Sequence, residues 1–191
     1  MKEILKIYKL NNTVFSFDEL AIILKETNKE LLKRRINYYV KQGQLIQLRK
    51  GIYTKDKNYN KFELALKIYS PSYISFETVL QKKGIVFQFY GQIFVASYLS
   101  REINIKEQKY VYRKLKNSIL INNKGVNIKK YYSIASLERA FLDTIYLNKN
   151  YYFDNLTPLN WEKVYDILKN YNDNKNFKLM VNKYYKIHKN S

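Results

Sequence analysis

The sequence predicts an α+β chain, with an N-terminal winged helix-turn-helix followed by an α+β domain made of a small antiparallel sheet and covering helices. Three observations predict it. A basic amphipathic stretch from Thr27 to Lys41 follows a short apolar helix after a brief turn, the order of a helix-turn-helix. Leu45-Ile46-Gln47-Leu48 and Ile52-Tyr53-Thr54 then close around Arg49-Lys50-Gly51 as a strand, a tight turn and a return strand. From Ile85 onward the helical periodicity gives way to short β-branched or aromatic runs.

The elements follow in order. Ile4, Leu5 and Tyr8 form a helical stripe within Met1 to Leu10, and Asn11-Asn12 ends it. Ser16 with Glu19 has the form of a capping box, and Phe17, Leu20, Ala21 and Leu24 supply the apolar face of a second helix. Thr27 with Glu30 repeats that start signal for a third helix, Asn28 to Lys41, about 21 Å long and able to lie in a major groove. Leu32, Ile36, Tyr39 and Val40 share its packing face, and Gly43 stops it.

Polar residues Lys55 to Asn60 carry no apolar period, which puts the domain boundary there: residues 1–58 form the winged helix and residues 59–191 the second domain. Phe62 to Tyr69 reads as a helix ended by Pro71, and Ser72 to Leu80 as a further helix running on to Lys82-Lys83-Gly84. Ile93–Ala96, Ile103–Ile105, Tyr110–Tyr112 and Ile119–Ile121 read as strands of an antiparallel sheet. Leu137 to Leu147 is apolar on more than one side and so predicts a largely buried helix. Trp161 to Tyr171 and Asn176 to His188 are terminal helices that would cover the sheet.

Composition narrows the functional classes. The 191 residues carry a formal charge of +19, divided as +7 over residues 1–58 and +12 over residues 59–191, which favours a polyanionic partner. Lysine contributes 29 of the 35 cations, a bias also expected of an AT-rich genome, so position says more than the total. Three of the six arginines, Arg34, Arg35 and Arg49, fall within the helix and wing. Cysteine is absent and His188 is the lone histidine, so no metal site and no cofactor is expected. No apolar run is long enough to span a membrane and no signal-type segment opens the chain, which predicts a soluble, cytoplasmic protein.

No enzyme signature emerges. The five glycines at 43, 51, 84, 91 and 125 never cluster into a phosphate-binding loop. Glu138 and Asp143 are the carboxylates of most interest, but five residues apart on a helix they point about 140° from each other. Glu138 is better placed as a partner for the helix dipole, and no catalytic residue is assigned.

The candidate site is therefore a DNA-binding surface. Lys29, Lys33, Arg34, Asn37 and Lys41 populate the free sides of the third helix, with Lys29, Lys33, Arg34 and Asn37 nearest the bases. Arg49, Lys50 and Tyr53 of the wing would approach the backbone or the minor groove. The bland alternative is an ordinary solvated helix face. Arg35 borders the packed side and suits a structural ion pair. The tyrosine doublets Tyr131-Tyr132, Tyr151-Tyr152 and Tyr184-Tyr185 could stack on single strands, although core and rim packing is the simpler use.

Three stretches resemble the AbiEi family of antitoxins from type IV toxin-antitoxin systems, which act in abortive infection and phage resistance. They are Phe17–Ala21 with Gly43–Leu45 and Leu48–Tyr53, then Pro71–Leu80, then Ile134–Asp143, in the family's order and spacing up to about Leu147. The first is shared by many winged helices; the second and third are more specific. Leu137 stands where the family often has proline, and Phe141 where leucine is common. The resemblance implies a transcriptional repressor that binds repeats in its own promoter. It also implies a C-terminal domain that counters a nucleotidyltransferase-like toxin without a stable complex. The alternative is a stand-alone regulator whose C-terminal domain binds a protein or ligand.

Overall fold

In the computed structural model, which describes residues 3–171 and 175–189, the N-terminal unit is built around a three-stranded antiparallel sheet and four helices. Its elements run α1 (Ile4–Lys9), β1 (Val14–Ser16), α2 (Phe17–Leu24), α3 (Lys29–Lys41), β2 (Ile46–Arg49), β3 (Ile52–Thr54) and α4 (Lys61–Ile68). Helix, strand, two helices and a hairpin is the order of a winged helix-turn-helix, with strands arranged β1-β3-β2. Met1 and Lys2, part of the expected first helix, lie outside the described residues.

Local chemistry explains these boundaries. The Ser16 hydroxyl accepts from the Glu19 amide, and the Glu19 carboxylate accepts from the Ser16 amide, so the capping box satisfies two donors at the start of α2. At α3 the cap lies one residue later than the expected Thr27. Asn28 Oδ1 accepts from the Glu30 and Leu31 amides, so the Asx side chain satisfies the N2 and N3 donors in place of the Thr27–Glu30 box. Ile4, Ile7, Phe15, Leu20, Leu24, Leu32, Ile36, Leu45 and Tyr53 close the core of the unit.

The compact units are Met1–Ile68 and Tyr69–Ser191, so α4 belongs with the winged helix and the boundary falls ten residues beyond the expected position 58. Glu63 supplies the reason. Its fully buried carboxylate accepts from the Thr13 amide (2.9 Å) and hydroxyl (2.7 Å) beside β1, bonds that a polar loop at 55–60 does not announce.

The second unit contains a six-stranded sheet in the order β6-β7-β5-β4-β9-β8. Its strands are β4 (Ser72–Ile74), β5 (Ile93–Ser97), β6 (Arg101–Ile105), β7 (Gln108–Lys114), β8 (Val126–Ile128) and β9 (Ser133–Ala135). The β6–β7 pair is antiparallel as expected, and β4–β5 and β8–β9, whose β4, β8 and β9 the sequence did not announce, are antiparallel too, but β5–β7 and β4–β9 are parallel, so the sheet is mixed. The helices are α5 (Glu77–Lys82), α6 (Asn117–Leu120), α7 (Leu137–Leu147), α8 (Trp161–Leu168) and α9 (Lys175–Lys189).

Two expectations change here. Ser72–Leu80 divides into β4 and the start of α5 instead of forming one helix. The expected strand Ile119–Ile121 belongs to a short helical turn whose Ile119 and Leu120 are buried, so packing overrides the β-branched preference.

Candidate nucleic-acid interface

Helix α3 divides cleanly into two faces. Leu32 and Ile36 are buried and Tyr39 nearly so, which fixes the orientation of the helix on the core. At about 100° per residue, the side opposite them carries Glu30, Arg34, Asn37, Tyr38 and Lys41, with Lys33 at one margin and Leu31 at the other. Lys29, Lys33, Arg34, Asn37 and Lys41 are all exposed, as the sequence predicts. Among the described residues, none of the cations Lys29, Lys33, Arg34 and Lys41 has an ion-pair partner, whereas Arg35 does: Nη1 lies 3.0 Å from Glu3 and Nη2 3.5 Å from Glu26. Arg35 therefore fastens α3 to the segments before α1 and α3, while Arg34 beside it is left to solvent.

The wing is a minimal hairpin. Arg49 pairs with Ile52, which leaves Lys50 and Gly51 as the connecting residues, and Gly51 takes a φ of +78° that favours glycine. The Gly51 carbonyl accepts from the Phe17 amide at 2.9 Å, tying the hairpin turn to the start of α2. Arg49 and Lys50 are exposed at this turn.

Tyr53 departs from its expected place. At 6% exposure it belongs to the core of the unit, opposite Phe15 on β1, and its phenol is raised above its ordinary pKa by burial. Strand β3 is the central strand of its sheet and all three of its residues are buried, so Tyr53 cannot join Arg49 and Lys50 in an outward contact.

The second unit uses two of its three arginines differently. Arg139 is completely buried, and all five of its N–H donors are taken. Nε donates to Asp143 (3.1 Å), Nη1 to the carbonyls of Asn122 (3.1 Å) and Lys124 (2.8 Å), and Nη2 to the Ile119 carbonyl (2.7 Å) and the Tyr73 hydroxyl (2.6 Å). Asp143, also fully buried, accepts in addition from Tyr73 (2.9 Å), Ser75 (2.7 Å) and Tyr171 (2.6 Å). Burial, followed by the Asp143 charge, pushes the Tyr73 and Tyr171 phenols well above their ordinary range, so both remain donors to the carboxylate.

Arg113 is likewise engaged. It forks onto the Glu77 carboxylate at 2.8–3.0 Å, and its guanidinium carbon lies 4.4 Å and 5.0 Å from the ring centres of Phe94 and Phe76. Both pairs are frameworks in which no donor is left for a ligand of Arg139. The i,i+4 spacing of Arg139 and Asp143 on a densely apolar helix is the signal that could have revealed this pair, in place of Glu138 with Asp143.

Of the tyrosine doublets, Tyr184 is buried among Phe141 and Phe153 with its hydroxyl donating to the Tyr151 carbonyl, while Tyr152 is exposed. Among the described residues, no three His, Cys, Asp or Glu side chains come together in a metal-binding group, and no helix is long and apolar enough to cross a membrane. No protein-family model matches the chain, and no curated protein matches it.

Proposed function

We propose that the protein is a DNA-binding repressor that acts as the antitoxin of a type IV toxin-antitoxin system. The observation that carries the DNA-binding half is the outward presentation of Lys33, Arg34, Asn37 and Lys41 on α3 together with Arg49 and Lys50 at the wing turn. Among the described residues the cations of this set have no carboxylate partner, and helix and hairpin are the two elements with which winged helices grip a duplex. Helix α3 enters the major groove with Lys33, Arg34 and Asn37 toward the bases; Lys29, expected beside them, lies on the helix nearer Leu32 and the packed side, and Arg49 and Lys50 meet the backbone.

The antitoxin half draws support from the resemblance and from where its residues lie. Pro71–Leu80 and Ile134–Asp143 meet as paired strands, Ile74 beside Ile134, and share the Tyr73, Ser75, Arg139 and Asp143 hydrogen bonds. Two sequence stretches that resemble one family thus form a single structural joint, as expected of a shared framework. A cytoplasmic location and a nucleotidyltransferase-like toxin as functional partner follow from this reading.

Gel shifts of the full chain on its own promoter and on random duplexes test the first half. Arg34→Ala should relax sequence preference and cost roughly 1–3 kcal/mol, whereas Lys50→Ala should weaken all duplexes alike. Equal and negligible losses for both would sink it. Co-expression with a neighbouring nucleotidyltransferase-like toxin tests the second half: growth rescue should survive both substitutions, because it resides in the second unit. A chain that never rescues growth is a stand-alone regulator.

A further inference from the structure

On α3 the outward cations are interleaved with two large apolar groups. Leu31 is 49% exposed and Tyr38 58% exposed. A single exposed leucine is ordinary on a protein surface. These two, however, lie at i and i+7 with Arg34 at i+3 between them, along one stripe of the helix that the core leaves free. The Asn28 cap holds the stripe at its start, since Asn28 Oδ1 accepts from the Leu31 amide itself.

Resting on the DNA-binding reading above, we infer that Leu31 and Tyr38 are specificity-determining residues that contact the C5-methyl groups of thymines on either side of the base pair met by Arg34. In the major groove the thymine methyl is the apolar feature a side chain can read, and the groove is lined by polar edges elsewhere. The Leu31 side chain and the ring carbons of Tyr38 facing the groove would lose their water without gaining a hydrogen bond, so a methyl is the partner they select, while the Tyr38 hydroxyl keeps its own bonds to water or phosphate. Seven residues of helix advance about 10 Å, near three base-pair steps of 3.4 Å. The site therefore holds T·A pairs about three steps apart, with a pair suited to Arg34 between them. The exposed charges of Lys33, Arg34 and Lys41 hold the stripe against the phosphates and supply the charge complementarity for this one occupant.

The test begins with the full chain and a randomised duplex pool. The enriched site is then resynthesised with deoxyuridine replacing each thymine in turn, which deletes a methyl and leaves every hydrogen-bonding edge unchanged. Wild-type binding should fall about fourfold at two positions, the effect of one lost CH₂-sized contact of ~0.8 kcal/mol. Leu31→Ala should bind the thymine and uracil forms of one of those positions equally, and Tyr38→Ala those of the other. Both side chains are exposed, so the variants should melt with the wild type. Wild-type affinity indifferent to every uracil replacement would overturn the inference while leaving DNA binding intact. Failure to enrich any duplex would overturn the DNA-binding reading and this inference with it.

Discussion

Arg34 and Arg139 are the same residue in opposite conditions. Arg34 stands on the open side of α3 with no carboxylate partner among the described residues, and Arg139 is sealed inside the second unit with every donor used. A formal charge of +19 counts them alike. The difference teaches that a cation reports on a polyanionic partner only when its donors are unspent. By that standard α3 and the wing turn offer a surface, whereas Arg113 and Arg139 offer a skeleton.

The comparison breaks first at Asp143. Asp143→Ala leaves the buried Arg139 charge without its counterion and should cost about 3–5 kcal/mol in the unfolding of the second unit. Chemical denaturation followed at Trp161, which lies in that unit, measures it; a loss under 1 kcal/mol would mean that water or another group replaces the carboxylate. Arg34→Ala should do the reverse, leaving the denaturation midpoint within ~0.5 kcal/mol of wild type while removing roughly 1–3 kcal/mol of duplex affinity. A large stability loss there would show that Arg34 is also structural.

Smaller effects sharpen the same contrast. Arg35→Ala gives up two partly exposed ion pairs, so a stability loss of about 0–1 kcal/mol is expected in thermal melts. The weakest effect is in the pH dependence of Glu19. Burial raises the Glu19 carboxyl, but hydrogen bonds from Lys67 and the Ser16 amide outweigh it and leave the pKa below its ordinary value. With the folded pKa depressed, the contribution is present above the unfolded pKa and is lost as pH falls through the folded one. Glu19→Gln should flatten the acid limb of the melting curve; an unchanged limb would remove Glu19 from the account.

Much of the winged helix could be read in the sequence because its signals are local. The Ser16–Glu19 box, the Leu32, Ile36 and Tyr39 stripe, and Gly51 at the turn each act within a few residues. The exposed cations of α3 follow from that stripe by subtraction. Tyr53 does not, because its inward direction depends on pairing with β1 nearly forty residues earlier, a strand too short to show a period.

The second unit was less legible for the same reason. Three-residue strands such as β4, β8 and β9 exist through long-range pairing, and no alternation is visible at that length. The bounds of α7, by contrast, agree with the sequence expectation from Leu137 to Leu147, since its apolar density and the Ser136 cap are local. What the density hid was the polar pair within it. The acceptors of Arg139 at Ile119, Asn122 and Lys124 are backbone carbonyls and leave no trace in residue identity.

Because those acceptors are main-chain atoms, Arg139 constrains the path of a loop and not its composition. As far as Arg139 is concerned, the segment 119–124 needs only to keep the course of its peptide groups, although burial separately holds Ile119 and Leu120 apolar, whereas Arg139 and Asp143 can change only in concert. Divergent chains of this architecture should accordingly be traceable by a sparse pattern, a Tyr-x-Ser strand followed 66 positions later by Arg-x-x-x-Asp, after most other resemblance has eroded.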